Sequence, residues 1–325
     1  MKHNKTAPSA RKKTFTWLWK NPVFRKEIRA FMRQSRTRRV LLAYLSAVSA
    51  VLLLVYFSII SSNAAAPDPN IRRVLGKMIF LSATSLQLVA IIFIAPSYSA
   101  NLISAEIETD TFDLLRATPF PAGSMVKGKI AASFIFMLLF LVTGLPLHSV
   151  AYILGGVEIA ALLGSIAMLL TTAIFLSAYG VWSSAKLSQT AASVGTTFIT
   201  ASSLTIGVPA LMFLFMRLSP LHLDQDFFGL LDSITAFFPA AFQPLASLFI
   251  WLAVSSTPVT AAYASMAVFQ KANSAIWYNF NNNASFQFPF LSPWIIFMAM
   301  YGVITWFLYR AAVKQVAQKD YDIQD

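Results

Sequence analysis

The chain has 325 residues, of which 57% are hydrophobic and 12% charged, with a net charge of +12 and a mean hydropathy of +0.64. Soluble globular proteins carry about 25% charged residues, and here the apolar residues come in runs of about twenty or more, so a soluble globular protein is excluded and a polytopic helical membrane protein is expected. The absence of cysteine excludes disulfides, thiolate metal sites and cysteine nucleophiles.

The charge is uneven. Residues 1–39 hold thirteen Lys and Arg against one acid, Glu27, whereas the remaining 286 residues balance at twelve against twelve. A basic arm ahead of the first span reads as cytoplasmic and lipid-facing. Nucleic-acid binding is the rival use of such an arm, and nothing else in the chain supports it. No cleavable signal peptide is expected, because the first apolar run starts near Val40, too far in and too long.

Residues 1–16 are polar, basic and expected to be disordered. In the segment that follows, Asn21 and Pro22 make an N-cap and first-turn pair. Phe24, Ile28, Phe31 and Met32 then fall on one helical face, with Arg25, Lys26, Arg29, Arg33 and Arg36 elsewhere. An amphipathic helix lying in the membrane interface is predicted, with Trp17 and Trp19 at headgroup depth. The domain division is thus 1–39, a basic arm with an interfacial helix, and 40–325, a single transmembrane domain.

Span 1 is predicted over about 40–60 and span 2 from about 75 to the high 90s, where Pro96 is a kink position. Spans 3, 4 and 5 are predicted over about 130–152, 158–182 and 192–216, the last containing Gly207 and Pro209, and a final span over about 293–312. Residues 218–292 are harder. Asp224, Asp226 and Asp232 open a polar stretch, and residues 233–270 then carry no charge. These 38 residues are too few for two full spans at about twenty each. Pro239, Pro244 and Pro258 divide them, which predicts two short helices that dip into the membrane and return; one full span is the competitor. With six spans and both termini inside, twenty Lys/Arg are cytoplasmic and five outside; a seventh span makes this eighteen and seven, so six is favoured.

Between spans 2 and 3 lies an island of charge, residues 104–119, SAEIETDTFDLLRATP. Glu106, Glu108, Asp110 and Asp113 are four of the thirteen acids in the chain. Ser104 can start a helix, Glu106 and Glu108 suit its first turn, Arg116 suits its end, and Pro119 terminates it. Glu106, Asp110 and Asp113 then share a face, opposite Ile107, Thr111, Leu114 and Leu115. The predicted element is a short amphipathic helix with its acidic face toward a partner; a solvated turn is the plain alternative.

The run Glu106, Glu108, Thr111, Asp113, Leu114, Leu115, Thr118, Pro119 resembles the coupling-helix signature of type-2 ATP-binding-cassette (ABC) exporter permeases. Gly128-Lys129, opening the next span, and Asn21-Pro22-Val23 with its basic amphipathic helix also resemble that family. Two positions depart from it: Asp110 stands where members commonly have Gly, and Ile107 where a basic residue is frequent. The resemblance implies a dimeric permease, as a homodimer or with a similar chain, and a separate nucleotide-binding ATPase subunit. Glu106, Glu108, Asp110, Thr111, Asp113, Leu114 and Leu115 would contact that subunit. It further implies a bacterial cytoplasmic membrane, ATP and magnesium held by the partner, and no cofactor in this chain.

Other signals are weak. Gly123 to Lys129 nearly matches a phosphate-binding loop, but Ile130 replaces the required Ser or Thr and no strand precedes it. His3, His148 and His222 lack spaced partners for a metal. Asn279 to Asn283 reads as polar loop. No acid or base falls in the middle of a span, which argues against a proton- or sodium-driven transporter. A membrane anchor for an ATPase complex and an intramembrane lipid-processing enzyme are the remaining readings, and no catalytic constellation supports the enzyme.

Overall fold

The computed structural model describes residues 21–65, 71–112, 121–211, 214, 242–271, 276–281 and 287–318. Trp17, Trp19, Asp113, Leu114, Leu115, Arg116, Thr118, Pro119, Asp224, Asp226, Asp232, Pro239 and Asn283 lie outside the described residues.

The chain folds into helices. A short helix α1 (Pro22–Arg33) leads into α2 (Ser35–Ala65) and α3 (Ile71–Ser99). A single-turn helix α4 (Ser104–Glu108) precedes α5 (Ala122–Ile153), α6 (Ile159–Leu187) and α7 (Thr190–Ser202). Two shorter helices, α8 (Gln243–Val254) and α9 (Pro258–Lys271), come before α10 (Pro293–Gln318). Among the described residues six helical segments are long and apolar enough to cross a membrane: Thr37–Ser58, Ile71–Glu108, Ala122–Ile153, Ile159–Leu187, Thr190–Leu211 and Pro293–Gln318. This is a multi-pass membrane protein. One boundary differs from expectation in a way that matters below. The third span begins at Ala122 rather than near residue 130, so Gly128 and Lys129 sit inside the helix.

Helix α6 occupies the centre, packed against α3, α5, α7 and α10. Its buried face joins Ile91, Ile92, Met137, Leu141, Phe297 and Tyr301 in the main core. Helices approach closely where side chains are small. A Cβ on Gly180 would lie 1.9 Å from Ser99 Oγ and 2.7 Å from Ser99 Cβ. Gly180→Ala is therefore expected to lower stability by about 1–3 kcal/mol, the cost of overpacking. Ser99→Gly in the same chain should recover part of the loss, as read by thermal unfolding in detergent.

In α7 the backbone widens into a π-helical turn at Ser203–Gly207, closed by Val208 N–H donating to Ser203 O. The cause is at hand, since Pro209 has no N–H to offer the carbonyl of Thr205. After Val254 the chain turns by 115° between the two short helices. Pro244 and Pro258 stand at their starts, as the proline spacing predicted. The Tyr301 hydroxyl donates to Ser256 O at 2.8 Å and ties that bend to α10.

The sequence reading missed one element. Strands β1 (Trp277–Asn281) and β2 (Gln287–Leu291) pair antiparallel, with Trp277 opposite Leu291 and Asn279 opposite Pro289. Asn279 to Asn281, read above as polar loop, are strand residues. Trp277, Tyr278, Phe280, Phe288 and Phe290 explain this, because aromatic side chains favour extended backbone. Trp251 Nε1 donates to Leu291 O at 2.8 Å and holds the hairpin against α8.

Candidate functional site

The charged island departs from the predicted helix over 104–118. Within its described residues the helix is interrupted: Ser104–Glu108 is helical, and Thr109 caps it. Asp110 then adopts a left-handed conformation, φ +54°. Asp110 N–H donates to Ile107 O at 3.2 Å and Thr111 N–H to Glu106 O at 2.9 Å, the paired bonds of a Schellman C-cap. Asp is among the few non-glycine residues that tolerate this conformation. The turn that a glycine would make is thus retained with Asp110. In consequence Glu106 and Asp110 do not share a helical face. Asp110 and Thr111 are exposed, while Phe112 is buried.

Ser104 is not a cap either. Its hydroxyl donates to Ala100 O at 3.2 Å, and its N–H, with that of Ile103, donates to Ser184 Oγ at 2.8 and 2.9 Å. These bonds fix the island to α6. The bed beneath is apolar: Val23, Leu102, Ile103, Phe112, Val126 and Val181 pack together there.

Two acids of the island, Glu106 and Glu108, bond to the bundle. Lys129 is fully buried, and its ammonium donates to Glu106 Oε2 at 2.7 Å, Leu102 O at 2.6 Å and Glu27 Oε1 at 3.3 Å. Three acceptors for three protons are what a buried ammonium requires. The other oxygen of Glu106 accepts from Lys26 Nζ at 2.8 Å. Glu106 thus bridges two lysines, one from α1 and one from α5. The Lys26 ammonium is partly desolvated, which alone would lower its pKa; the hydrogen bond and charge of Glu106 outweigh that and raise it above the ordinary value. The Lys26–Glu106 bond therefore persists through neutral pH.

Glu108 faces a different neighbour. Its carboxylate accepts from Thr190 N–H at 2.8 Å and Thr190 Oγ1 at 2.6 Å, at the first turn of α7. A carboxylate there satisfies orphan amides and meets the positive end of the helix dipole. Glu108→Ala should speed hydrogen exchange at the amides of residues 190–193 with little change in global unfolding. Unchanged exchange would mean that the contact does not hold the helix end.

Helix α1 begins as its sequence requires. The Asn21 side chain accepts from Val23 and Phe24 N–H at 3.0 and 3.4 Å, with Pro22 next. The same amide donates to Ser124 O at 2.9 Å. A Cβ on Gly128 would lie 3.1 to 3.3 Å from this amide, so glycine there lets α1 dock on α5. The face that docks is Val23, Phe24, Glu27 and Phe31. This corrects the predicted apolar face. Phe24 and Phe31 are buried in protein, Ile28 is half-buried, and Met32 is 66% exposed; Arg25 and Arg29 are exposed. The centre of the docked face is Glu27, which the sequence reading did not single out. A lone acid among thirteen cations, three residues after Phe24 and four before Phe31, was the available signal.

Three separated stretches therefore meet at one end of the bundle: Asn21 to Glu27, Ile103 to Glu108, and Ser124 to Lys129. Asp113, Leu114 and Leu115 lie outside the described residues. Gly123 to Lys129 is helical, with Ser124 and Met125 N–H donating to Pro121 O, and does not form the loop of a phosphate cradle. Among the described residues no group of three His, Asp or Glu side chains gathers to hold a metal. Comparison with models of known protein families, and with curated proteins, finds no match.

Proposed function

We propose that the chain is the membrane-spanning permease subunit of an ATP-driven transporter, of the type-2 ABC exporter class. A separate nucleotide-binding subunit, which would hold ATP and magnesium, grips the charged island from the cytoplasm. The carrying observation is the meeting of the three stretches that resemble that class, Asn21-Pro22, Glu106 with Glu108, and Gly128-Lys129, around one buried ammonium.

The arrangement suits transmission of force. Glu106 joins the island to α1 and α5 through Lys26 and Lys129, and Glu108 joins it to α7. A push on the exposed turn at Asp110 and Thr111 therefore reaches several spans at once, and the membrane domain can exchange two packings. In this reading both termini are cytoplasmic, α1 lies in the interface, a second permease chain completes the transporter, and the membrane is a bacterial cytoplasmic one. The bent pair α8 and α9 forms the re-entrant cap on the far side. At 12 and 14 residues these helices reach about 18 and 21 Å, short of the ~30 Å hydrocarbon core.

The test is recovery of the tagged chain from its native membrane in mild detergent, with mass spectrometry of what accompanies it. A nucleotide-binding subunit in about equal amount is the expected companion. Recovery of the chain alone in several detergents would overturn the proposal.

A further inference from the structure

Beside the ion cluster is a cavity of about 500 Å³, within the usual ~300–1,000 Å³ size range of ligand sites. It lies between α1, the start of α2 and the end of α3, and its lining has two characters. Phe31, Val40, Phe93, Ile94, Tyr98 and Phe136 make an apolar wall. Val40 and Phe93 are exposed, so this wall opens sideways to the surroundings of the bundle. Lys26, Gln34 and Thr37 make a polar rim, and Ser97 and Asn101 add polar groups to the lining.

The two acids in the lining, Glu27 and Glu106, already accept from Lys129 and Lys26. The rim belongs to the segment that carries the charge excess, in which Arg33, Arg38 and Arg39 are exposed. Arg33 and Arg38 are the immediate neighbours of Gln34 and Thr37 in the chain. An apolar slot open at the side of the bundle, with Lys26 on its polar rim and Arg33 and Arg38 next in the chain, fits one class of occupant.

We infer that this cavity binds an anionic phospholipid, one acyl chain along Phe31, Phe93 and Tyr98 and the phosphate at the rim of Lys26, Gln34 and Thr37. Assigning the lipid to the cytoplasmic leaflet rests on the function proposed above; the cavity and its chemistry do not. The occupied cavity wedges α1 against α3 beside Glu106, so the lipid sets the position of the island. Membrane composition would then tune the transporter.

The test is native mass spectrometry of the purified full-length chain, stripped of lipid and titrated with phosphatidylglycerol or phosphatidylcholine of the same acyl chains. The expected result is one phosphatidylglycerol retained per chain, about five-fold more tightly than phosphatidylcholine, the attraction of roughly one cation at a membrane surface. Ala30→Trp, which fills the cavity, should abolish that retention, and Ala30→Ser should keep it. The pair Gln34→Glu and Thr37→Glu, which leaves the cavity open, should erase the headgroup preference. Equal retention of both lipids by the native chain would overturn the proposal. So would undiminished retention by a folded Ala30→Trp chain, which would place the lipid on the basic arm. Lipid capture is measured without a partner, so its failure leaves the companion subunit untouched, and the reverse holds equally.

Discussion

Lys129→Ala is expected to destabilise the chain by about 3–5 kcal/mol, because it strands Glu27 and Glu106 without their shared cation. The side chain has no exposure, and its three bonds reach two other segments, Glu27 of α1 and residues 102–106. The ammonium itself was costly to bury, at several kcal/mol per ion. Removing the whole charge set is accordingly expected to be milder than breaking it. The chain with Glu27→Gln, Glu106→Gln and Lys129→Met together should recover most of the stability lost by Lys129→Ala alone. Reversible unfolding in mixed micelles, arranged as a mutant cycle, reads this directly. A Lys129→Ala effect below about 0.5 kcal/mol would show that the cluster is no more than a surface ion pair. The repaired variant also separates folding from function: it should fold, but it no longer links the island to α1 and α5 by charge.

The second large effect concerns the turn at Asp110. Its left-handed backbone leaves Asp110 and Thr111 exposed before Phe112 returns to the apolar bed. Asp110→Asn and Asp110→Gly keep that conformation available, whereas Asp110→Val opposes it by about 1–2 kcal/mol. The Val variant is expected to lose about five- to thirty-fold in association with the proposed ATPase subunit, since 1.4 kcal/mol is a factor of ten. The Asn and Gly variants should associate as the native chain does. Equal association by all three would mean that the partner does not read the shape of this turn. Loss with both Asn and Gly, which keep the turn but lack the carboxylate, would make the charge the determinant.

What could be read in advance was local. Apolar length alone located six spans, and cap chemistry alone located Asn21 and Pro22. The prolines divided the stretch before the last span at Pro244 and Pro258, because their missing N–H acts on the spot. What could not be read was pairing at a distance. Glu27 and Lys129 are 102 positions apart, and Glu108 and Thr190 are 82 apart. Neither spacing leaves a periodic trace. The helical face assigned to Glu106 and Asp110 failed for a related reason. Helix propensity carried the pattern through 104–118, but the bonds that Ser184, Lys129 and Thr190 offer the island hold Ser104–Glu108 as a single turn. Glu106, expected to face a partner, holds the island to its own bundle, as Glu108 does, and the exposed turn is Asp110 with Thr111.

The most direct measurement is photo-crosslinking in native membranes, with the reactive side chain placed at Thr111 or, in a second chain, at Ile153. Both positions are exposed, and Ile153 lies at the opposite end of α5 from Lys129. The account predicts an adduct with a nucleotide-binding subunit from Thr111 and none from Ile153. No such adduct at Thr111, or equal adducts from both positions, would contradict it.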